Sequence, residues 1–335
     1  MTDNKKFKAM IVSEEGGKFI RSIGEKSIDD LPKGDVLIQV KYSSLNYKDA
    51  LSATGNKGVT RKYPHTPGID AAGIVEGSFD NKFKPGDEVI VTGFDLGMNT
   101  SGGYGQFIRV PSDWVVKLPA GITLLESMIY GTAGFTAGLS LARLETNGLK
   151  PSKDEILVTG STGGVGSLAV AILTKAGYNV TAVTGKSDRE NYLRTLGAKI
   201  ILTRENADDN SGKSLLPARW GGVIDTVGGN ILATAIKSTK YNCGVAACGL
   251  TQSPLLNTWV YPFIIRGVNL LGIDSAHCEM DLRLKIWNRL ANEWKPDNLN
   301  LIKQDCSLEE LNHKIDMILQ GNITGRVVVK IGTEK

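Results

Sequence analysis

The fold of this chain is decided by the stretch Glu155-Ile156-Leu157-Val158-Thr159-Gly160-Ser161-Thr162-Gly163-Gly164-Val165-Gly166-Ser167. Its consecutive Ile, Leu and Val are typical of a strand that is buried on both faces. Four glycines follow within seven residues, and apolar side chains then recur at helical spacing as far as Gly177. This order of strand, glycine turn and helix directs backbone N–H groups and a helix N-terminus towards one point, which suits a pyrophosphate.

The glycine spacing reads G-x-x-G-G-x-G, whereas the common dinucleotide-binding fingerprint reads G-x-G-x-x-G, so the string by itself is weak evidence. Glycine suits such a turn because a Cβ would block the phosphate or strain a positive φ. The buried strand before the turn and the helix after it favour nucleotide binding over a glycine turn kept only for packing.

The next predicted strand, 179–184, indicates which nucleotide binds. An NAD-binding unit usually ends this strand with an acid that binds the ribose 2′-hydroxyl. Here the strand ends in Thr184, Gly185, Lys186 and Ser187, and the first acid is Asp188. A cation and a hydroxyl suit a 2′-phosphate, so we predict NADPH rather than NADH. The alternatives are that Lys186 is an ordinary surface lysine and that Ser187 caps the following helix.

The composition is that of a globular enzyme rather than a nucleic-acid or membrane protein. The 335 residues suffice for two domains, and the net charge of +4 is mild. Residues 1–18 contain no apolar core of a signal peptide. Four cysteines without a C-x-x-C pair fit a reduced protein, so we predict a cytoplasmic location.

Two domains are predicted from the change in pattern along the chain. Short strands with Pro-Gly turns predict an irregular β-barrel over 1–120, and a closing strand near 325–331 predicts that 275–335 rejoins it. The intervening domain, 121–274, opens with a helix interrupted near Tyr130–Ala137. It then alternates strands with helices, which predicts an α/β fold with a doubly wound parallel sheet. The strand candidates are 156–159, 179–184, 199–203, 222–226, 244–248 and 268–273.

Ligands of doubly wound sheets bind beyond the carboxyl ends of the strands. The fourth candidate strand ends at Asp225, and the fifth is followed by Leu250. Position alone therefore makes Asp225 and Leu250 candidates for the cofactor side.

Several motifs, spread over almost the whole chain, resemble those of the zinc-free medium-chain dehydrogenases/reductases. The closest resemblance is to the acrylyl-CoA reductase group, whose members are often labelled quinone oxidoreductases. The resemblance implies a GroES-like catalytic domain, a Rossmann domain and a homodimer. The motifs are Ser44-Leu45-Asn46-Tyr47-Lys48-Asp49, Pro67-Gly68-Ile69-Asp70, Gly131-Thr132-Ala133-Gly134-Phe135-Thr136-Ala137, Ile224-Asp225-Thr226-Val227-Gly228, Val245-Ala246-Ala247-Cys248-Gly249-Leu250, Tyr261-Pro262-Phe263-Ile264, Leu271-Gly272-Ile273-Asp274-Ser275 and Gly325-Arg326.

The resemblance also implies which residues bind the cofactor. Tyr47 would face the nicotinamide, and Arg204 would add a second cation near the 2′-phosphate. The remaining implied contacts are Gly160, Thr162, Gly163, Gly164 and Val165 at the pyrophosphate, Thr184, Gly185 and Lys186 at the adenosine ribose, Leu250, Ile264 and Ser275 on the nicotinamide side, and Arg326.

No metal site is predicted. Zinc enzymes of this superfamily place a cysteine and a Gly-His-Glu where this chain has Asn46 and Gly68-Ile69-Asp70, and the first cysteine is Cys243. The three histidines are expected to be peripheral.

Reduction of an activated C=C bond, in a short enoyl-CoA such as acryloyl-CoA, is therefore the predicted reaction. Tyr47 or water would supply the proton, and Asn46 would donate a hydrogen bond to the developing oxyanion. Asp49 would orient its neighbours or simply begin a helix. Lys57, Arg61 and Lys62 are candidates for the CoA phosphates, with a solvated loop as the alternative.

Three other functions compete with this prediction. The first is quinone reduction by the same site, and the second is NADPH binding without turnover. The third, a short-chain dehydrogenase, is rejected because about 150 residues precede the glycine motif and because no tyrosine is followed by lysine four residues later.

Overall fold

The computed structural model describes residues 5–332, which form fifteen strands and eight α-helices. The strands are β1 (Lys6–Glu15), β2 (Lys18–Ser27), β3 (Val36–Leu45), β4 (Asp70–Ser78), β5 (Glu88–Thr92), β6 (Phe107–Val110), β7 (Val115–Lys117), β8 (Glu155–Val158), β9 (Asn179–Thr184), β10 (Ile200–Thr203), β11 (Trp220–Asp225), β12 (Gly244–Ala247), β13 (Asn269–Gly272), β14 (Lys303–Ser307) and β15 (Arg326–Lys330). The helices are α1 (Tyr47–Ala53), α2 (Leu124–Thr146), α3 (Gly164–Lys175), α4 (Glu190–Thr195), α5 (Gly229–Ser238), α6 (Tyr261–Arg266), α7 (Met280–Ala291) and α8 (Leu311–Leu319).

The described chain divides into two compact units. The mixed-sheet unit comprises 5–132, 276–284 and 303–332, and the parallel-sheet unit comprises Ala133–Ser275 and Lys285–Ile302. The sequence instead placed the boundary at 120/121 and assigned all of 275–335 to the barrel domain. Positions 1–4 and 333–335 of that assignment lie outside the described residues.

The mixed-sheet unit is built on one sheet with the strand order β14-β15-β3-β4-β5-β7, and β6 pairs with β3. Its neighbours are antiparallel except β14 and β15, and β1 and β2 form a separate antiparallel hairpin. The strands alternate small apolar residues that bury a common core, with Val36, Ile38 and Val40 as the contribution of β3. The predicted closing strand is β15, which joins the sheet beside β3.

The parallel-sheet unit contains six parallel strands in the order β10-β9-β8-β11-β12-β13. The chain runs outwards from β8 to one edge and then restarts at β11 towards the other edge, so the strand order reverses between β8 and β11. This is a doubly wound Rossmann-type sheet, and the predicted α/β fold class is confirmed. The six strands agree with the predicted ones to within about two residues.

The long helix α2 is broken at Gly131, where φ is 50° and ψ is −155°. A Cβ at this position would lie 2.4 Å from Asp70 Oδ2 and 2.5 Å from Ser44 Oγ. Glycine is therefore required twice, by the left-handed backbone and by the close approach of the polar side chains. The predicted interruption of the helix near Tyr130–Ala137 is confirmed, and it involves a single non-helical residue, Gly131.

Within 5–332, no helix combines the length and the apolar character needed to cross a bilayer.

Candidate active site

The glycine turn after β8 contains glycines of two kinds. Gly160 has φ of 59°, and a Cβ there would lie 2.3 Å from Thr226 Oγ1. A Cβ on Gly166 would lie 2.2 Å from the Gly160 carbonyl oxygen. A Cβ on Gly163 would meet one atom within 4 Å, the Gly160 carbonyl oxygen at 3.3 Å. Packing therefore explains Gly160 and Gly166, whereas Gly163 is less restricted, because a Cβ there would meet a single atom.

The same turn presents backbone donors. α3 begins at Gly164 with Gly163 as its N-cap, and no side chain caps it. The N–H groups of Gly164 and Val165 therefore have no acceptor within the helix. Together with the less restricted Gly163, these donors form a cradle that fits a pyrophosphate, because helix N-termini attract anions.

Five predicted residues come together where β9 and β10 end. The Thr162 and Thr184 hydroxyls lie 3.4 Å apart, and Thr184 Oγ1 accepts the Lys186 N–H at 3.0 Å. The Arg204 guanidinium covers Gly185, where a Cβ would lie 3.0 Å from Arg204 Nη2. Two hydroxyls, the Arg204 guanidinium and the backbone of Lys186 therefore meet at one strand end, which fits a ribose that carries a phosphate.

No carboxylate ends β9. The first acid, Asp188, forms an ion pair with Arg189 at 3.1 Å. Partial burial, together with the neighbouring Arg189, lowers the pKa of Lys186. The Ser187 capping box does not form, because a 3-10 turn spans Ser187–Arg189 and neither this turn nor α4 has a side-chain cap.

The other predicted cofactor residues of the parallel-sheet unit differ in their exposure to solvent. Leu250 and Ile264 are 63% and 76% exposed, and Ser275 accepts a hydrogen bond from the Thr136 hydroxyl at 2.8 Å. Asp225, proposed from its position, is fully buried and accepts Thr159 Oγ1 at 2.7 Å and the Gly228 N–H at 2.8 Å. Its role is therefore to hold the loop after β11, and burial raises the pKa of Asp225.

The mixed-sheet unit contains a buried polar network centred on Asp70. This carboxylate accepts Ser44 Oγ at 2.6 Å, Asn46 Nδ2 at 2.7 Å and Thr132 Oγ1 at 2.6 Å. It also accepts the Thr132 N–H at 2.9 Å and forms an ion pair with Arg326 at 3.6 Å. The network thereby fixes the chain on both sides of the Gly131 break.

Arg326 belongs to this network, whereas the resemblance implied a contact with the cofactor. Its guanidinium is 3% exposed and donates to the carbonyl oxygens of Ile129 and Leu45, to Asn46 Oδ1 and to Ser44 Oγ, at 2.7–3.2 Å. Four hydrogen bonds and the Asp70 ion pair therefore hold the guanidinium within the protein.

The three predicted catalytic residues occupy the start of α1. Tyr47 is the first helical residue and is 45% exposed. Asn46 is buried, with its Nδ2 bound to Asp70 and its Oδ1 to Arg326. An oxyanion would have to displace these partners, so the geometry assigns the Asn46 amide to the network. Asp49 accepts the N–H groups of Asn46 and Ile69, both at 2.8 Å, and Tyr104 Oη at 3.0 Å.

This region does not fit a zinc ion. The Asp49 and Asp70 carboxylates accept hydrogen bonds from protein donors, and the positive charge beside Asp70 is the Arg326 guanidinium. Among residues 5–332, no three His, Cys, Asp or Glu side chains are grouped as metal ligands. Zinc requires such a set.

The cationic loop proposed for CoA phosphates is partly committed to other contacts. Lys57 forms an ion pair with Glu14 at 2.7 Å and lies over the Phe19 and Tyr63 rings. Arg61 and Lys62 are exposed. His65 is not peripheral, since it is buried with its Nε2 2.9 Å from the Gly97 carbonyl oxygen.

Sequence reasoning overlooked Asp70, Ser44 and Tyr104 as parts of the network. One signal was available, because Asp70 is the single charged residue in the apolar run Ile69–Ala72. A charge in a buried strand requires partners. Which partners it finds depends on strands that are distant in sequence.

Two family models match the chain. Residues 32–120 match the alcohol dehydrogenase GroES-like domain, and residues 164–291 match the model described as zinc-binding dehydrogenase. The chain belongs to the medium-chain dehydrogenase/reductase family and is an oxidoreductase of that type.

Within the family, the chain is similar to a small set of relatives. It is 44% identical to the acrylyl-CoA reductase AcuI of Ruegeria pomeroyi, over 97% of this chain and 99% of the relative. It is 48% identical to YhfP of Bacillus subtilis, provisionally named a quinone oxidoreductase, over 91% and 93%.

Solved structures show the same likeness. The YhdH oxidoreductase of Salmonella enterica in complex with NADP is 42% identical with a TM-score of 0.94, over 97% of this chain and 100% of that one. YhfP with NAD bound is 46% identical in its crystal structure, with a TM-score of 0.95, over 98% and 100%.

Proposed function

We propose that this protein is an NADPH-dependent reductase of an activated C=C bond, with a short enoyl-CoA such as acryloyl-CoA as substrate. The observation that carries the proposal is the cationic strand end of Gly185, Lys186 and Arg204 beside the glycine cradle. The relatives named as an acrylyl-CoA reductase and as an NADP complex support it.

Different residues would bind different groups of the cofactor. The N–H groups of Gly164 and Val165 would hold the pyrophosphate, and Lys186 and Arg204 would neutralise the 2′-phosphate. An acid at the end of β9 would repel that phosphate, and the first acid is already paired with Arg189. Leu250 and Ile264 offer exposed apolar surface for the nicotinamide side.

The chemistry that NADPH supplies when bound is hydride donation to the β-carbon of the substrate. The chain must then provide a proton for the α-carbon. Tyr47 is the candidate proton donor, because its side chain is half-exposed. The amide of the neighbouring Asn46 is already bound to Asp70 and Arg326. Reduction is favoured over alcohol oxidation because the charged side chains near α1 bind one another rather than forming a ligand set for a Lewis acid.

The test is a steady-state comparison of purified protein with NADPH and either acryloyl-CoA or a quinone. We expect kcat/KM for acryloyl-CoA to exceed that for the quinone by about tenfold or more, a difference of at least about 1.4 kcal/mol in the transition state. The reverse preference would establish the quinone activity suggested by the name of YhfP. Tight NADPH binding without oxidation by any acceptor would instead identify a binding protein.

We also propose that the protein is a homodimer. β13 is an edge strand of the parallel sheet, and Leu270 on this strand is 39% exposed. Exposed edge strands readily pair with another chain. Light scattering should give twice the chain mass of 36.0 kDa. A single-chain mass at the highest assay concentration would refute the dimer.

A further inference from the structure

Asp49 and Tyr104 form a buried hydrogen-bonded pair in the mixed-sheet unit. Both residues are fully buried, and Tyr104 Oη lies 3.0 Å from Asp49 Oδ2. The same Oη lies 3.3 Å from the Ser44 carbonyl oxygen. The tyrosine hydrogen therefore has two possible acceptors, one charged and one neutral.

This arrangement satisfies both protonation states of Asp49. When the carboxyl is ionised, Oδ2 accepts Tyr104 Oη, the Asn46 N–H and, at 3.3 Å, Asn46 Nδ2, and Oδ1 accepts the Ile69 N–H. When the carboxyl takes up a proton from water, Oδ2–H donates to Tyr104 Oη, and the tyrosine hydrogen turns to the Ser44 carbonyl. Neither state leaves a buried donor without an acceptor, a condition that most buried carboxyls do not meet.

Two charged side chains and one hydroxyl face Asp49. The charged ones are the acid Asp70 at the start of β4 and the base Arg326 of β15, and the hydroxyl is that of Tyr104, in the loop before β6. α8 also packs against α1, but it contributes the buried side chains Leu311 and Ile315. Its charged side chains bind elsewhere, Asp316 to Arg21 and Lys314 to Gln304.

Two buried acids thus lie near one guanidinium, which forms an ion pair with Asp70. Burial, followed by the neighbouring Asp70 carboxylate, raises the pKa of Asp49 to about 7. Protonation near neutral pH is therefore consistent with the geometry of the pair.

The start of α1 depends on this carboxylate. Asp49 Oδ2 accepts the N–H of Asn46, the residue before Tyr47, at 2.8 Å. A hydrogen bond to a charged acceptor is stronger than one to a neutral acceptor, so protonation weakens this contact. We infer that Asp49 is a positioning residue that exchanges a proton with water, while Tyr104 changes from donor to acceptor. This proton exchange controls how firmly Tyr47 is held at the start of α1. Its effect on turnover rests on the proposed function, whereas the proton exchange does not.

The proton exchange is measured directly in the full-length protein with ¹³C-carboxyl-labelled aspartate, by infrared titration of the protonated carboxyl band. We expect a band that grows as the pH falls through about 7 and that is missing in Asp49→Asn. In Tyr104→Phe the ionised carboxyl loses the hydroxyl donor at 3.0 Å, so the midpoint should rise by about one pH unit. Tyr178→Phe is the matched control, because it removes a tyrosine hydroxyl 3.3 Å from the Glu145 carboxylate in the parallel-sheet unit. It should leave the midpoint unchanged.

The catalytic readout is the pH profile of kcat for NADPH oxidation with the best acceptor found. We expect an inflection near the infrared midpoint in the parent protein, a parallel shift in Tyr104→Phe and no inflection in Asp49→Asn. A band that persists in Asp49→Asn, or no band at all between about pH 6 and 8, would overturn the inference. So would a kcat inflection that is the same in all variants. If no acceptor is turned over, the infrared titration still decides the exchange, and the proposed function alone fails.

Discussion

The Asp70 network and the glycine cradle are both rich in polar groups, yet they differ in how those groups are used. In the network, Asp70, Arg326 and Asn46 bind one another, and the guanidinium donates four hydrogen bonds to protein acceptors. In the cradle, the first N–H groups of α3 have no intrahelical acceptor, and a Cβ on Gly163 would meet a single atom within 4 Å. Polar density alone therefore does not identify a binding site, whereas unused donors beside a less restricted glycine do.

Substitutions in the two regions should therefore affect different quantities, the free energy of folding in the network and ligand affinity in the cradle. A buried charge that loses its partner stays buried, so the network resists substitution through the free energy of folding. A donor in the cradle is accessible to water when no ligand is bound, so its loss is felt mainly in binding. The following four predictions use this contrast.

The largest expected effect is on folding, from Arg326→Met. The change leaves the buried Asp70 without its cation and should lower the free energy of unfolding by about 3–5 kcal/mol. Chemical denaturation followed by fluorescence measures it. Arg21→Met is the matched control, because Arg21 pairs with the half-exposed Asp316 and should cost about 1 kcal/mol or less. Equal losses in the two variants would contradict the special status of the network.

A pair of glycine substitutions tests the two kinds of glycine within one turn. Gly166→Ala places a Cβ 2.2 Å from a backbone oxygen and should cost about 3 kcal/mol of stability. Gly163→Ala places its Cβ 3.3 Å from the same oxygen, so it should cost far less stability than Gly166→Ala and should weaken NADPH binding by about tenfold or more. Thermal melts and a fluorescence titration of both variants check this. A stable Gly166→Ala, or a Gly163→Ala that binds normally, would remove the distinction.

The pH dependence of stability tests the raised pKa of Asp49. A carboxyl with a pKa of about 7 when folded and about 4 when unfolded binds more protons in the folded state between these values. Stability is therefore lost as the pH rises through this window and stays lower above it. Asp49→Asn has no titrating carboxyl at this position. The free energy of unfolding of the parent protein relative to Asp49→Asn should therefore fall by about 2 kcal/mol between pH 5.5 and 8. Parallel stability curves would contradict the raised pKa.

The smallest expected effect concerns the cation at the end of β9. Lys186→Glu should weaken NADPH binding by about tenfold and change NADH binding far less, because only NADPH has a 2′-phosphate. Lys199→Glu, at an exposed lysine bound to Asn179, controls for the change in net charge. Isothermal titration with both nucleotides measures the preference. An equal loss for the two nucleotides would place Lys186 outside the phosphate site.

Local sequence patterns predicted the elements and several of their neighbours. The run Ile156–Val158 and the glycine spacing after it are consecutive in the chain, and the helix and the turn form from neighbouring residues. Thr184, Gly185 and Lys186 followed from the end of a predicted strand, whereas Thr162 and Arg204 were added by the resemblance to the family. The partners of Asn46 and Arg326 could not be predicted, because neither residue reveals its partner in its own segment.

By itself, the sequence determined that a buried strand leads through a glycine turn into a helix, that six such strands form a parallel sheet, and that no acid follows β9. These properties depend on periodicity and on steric limits that act over a few residues. Tertiary structure alone decided that Arg326 binds Asp70 and Asn46, that a Cβ would collide with the backbone at Gly166 but not at Gly163, and that Asp49 lies against Tyr104. The physical reason is that burial and the sharing of donors are set by segments far apart in the sequence, such as those of Ser44 and Arg326, which are 282 residues apart and which only the folded sheet brings within hydrogen-bonding distance.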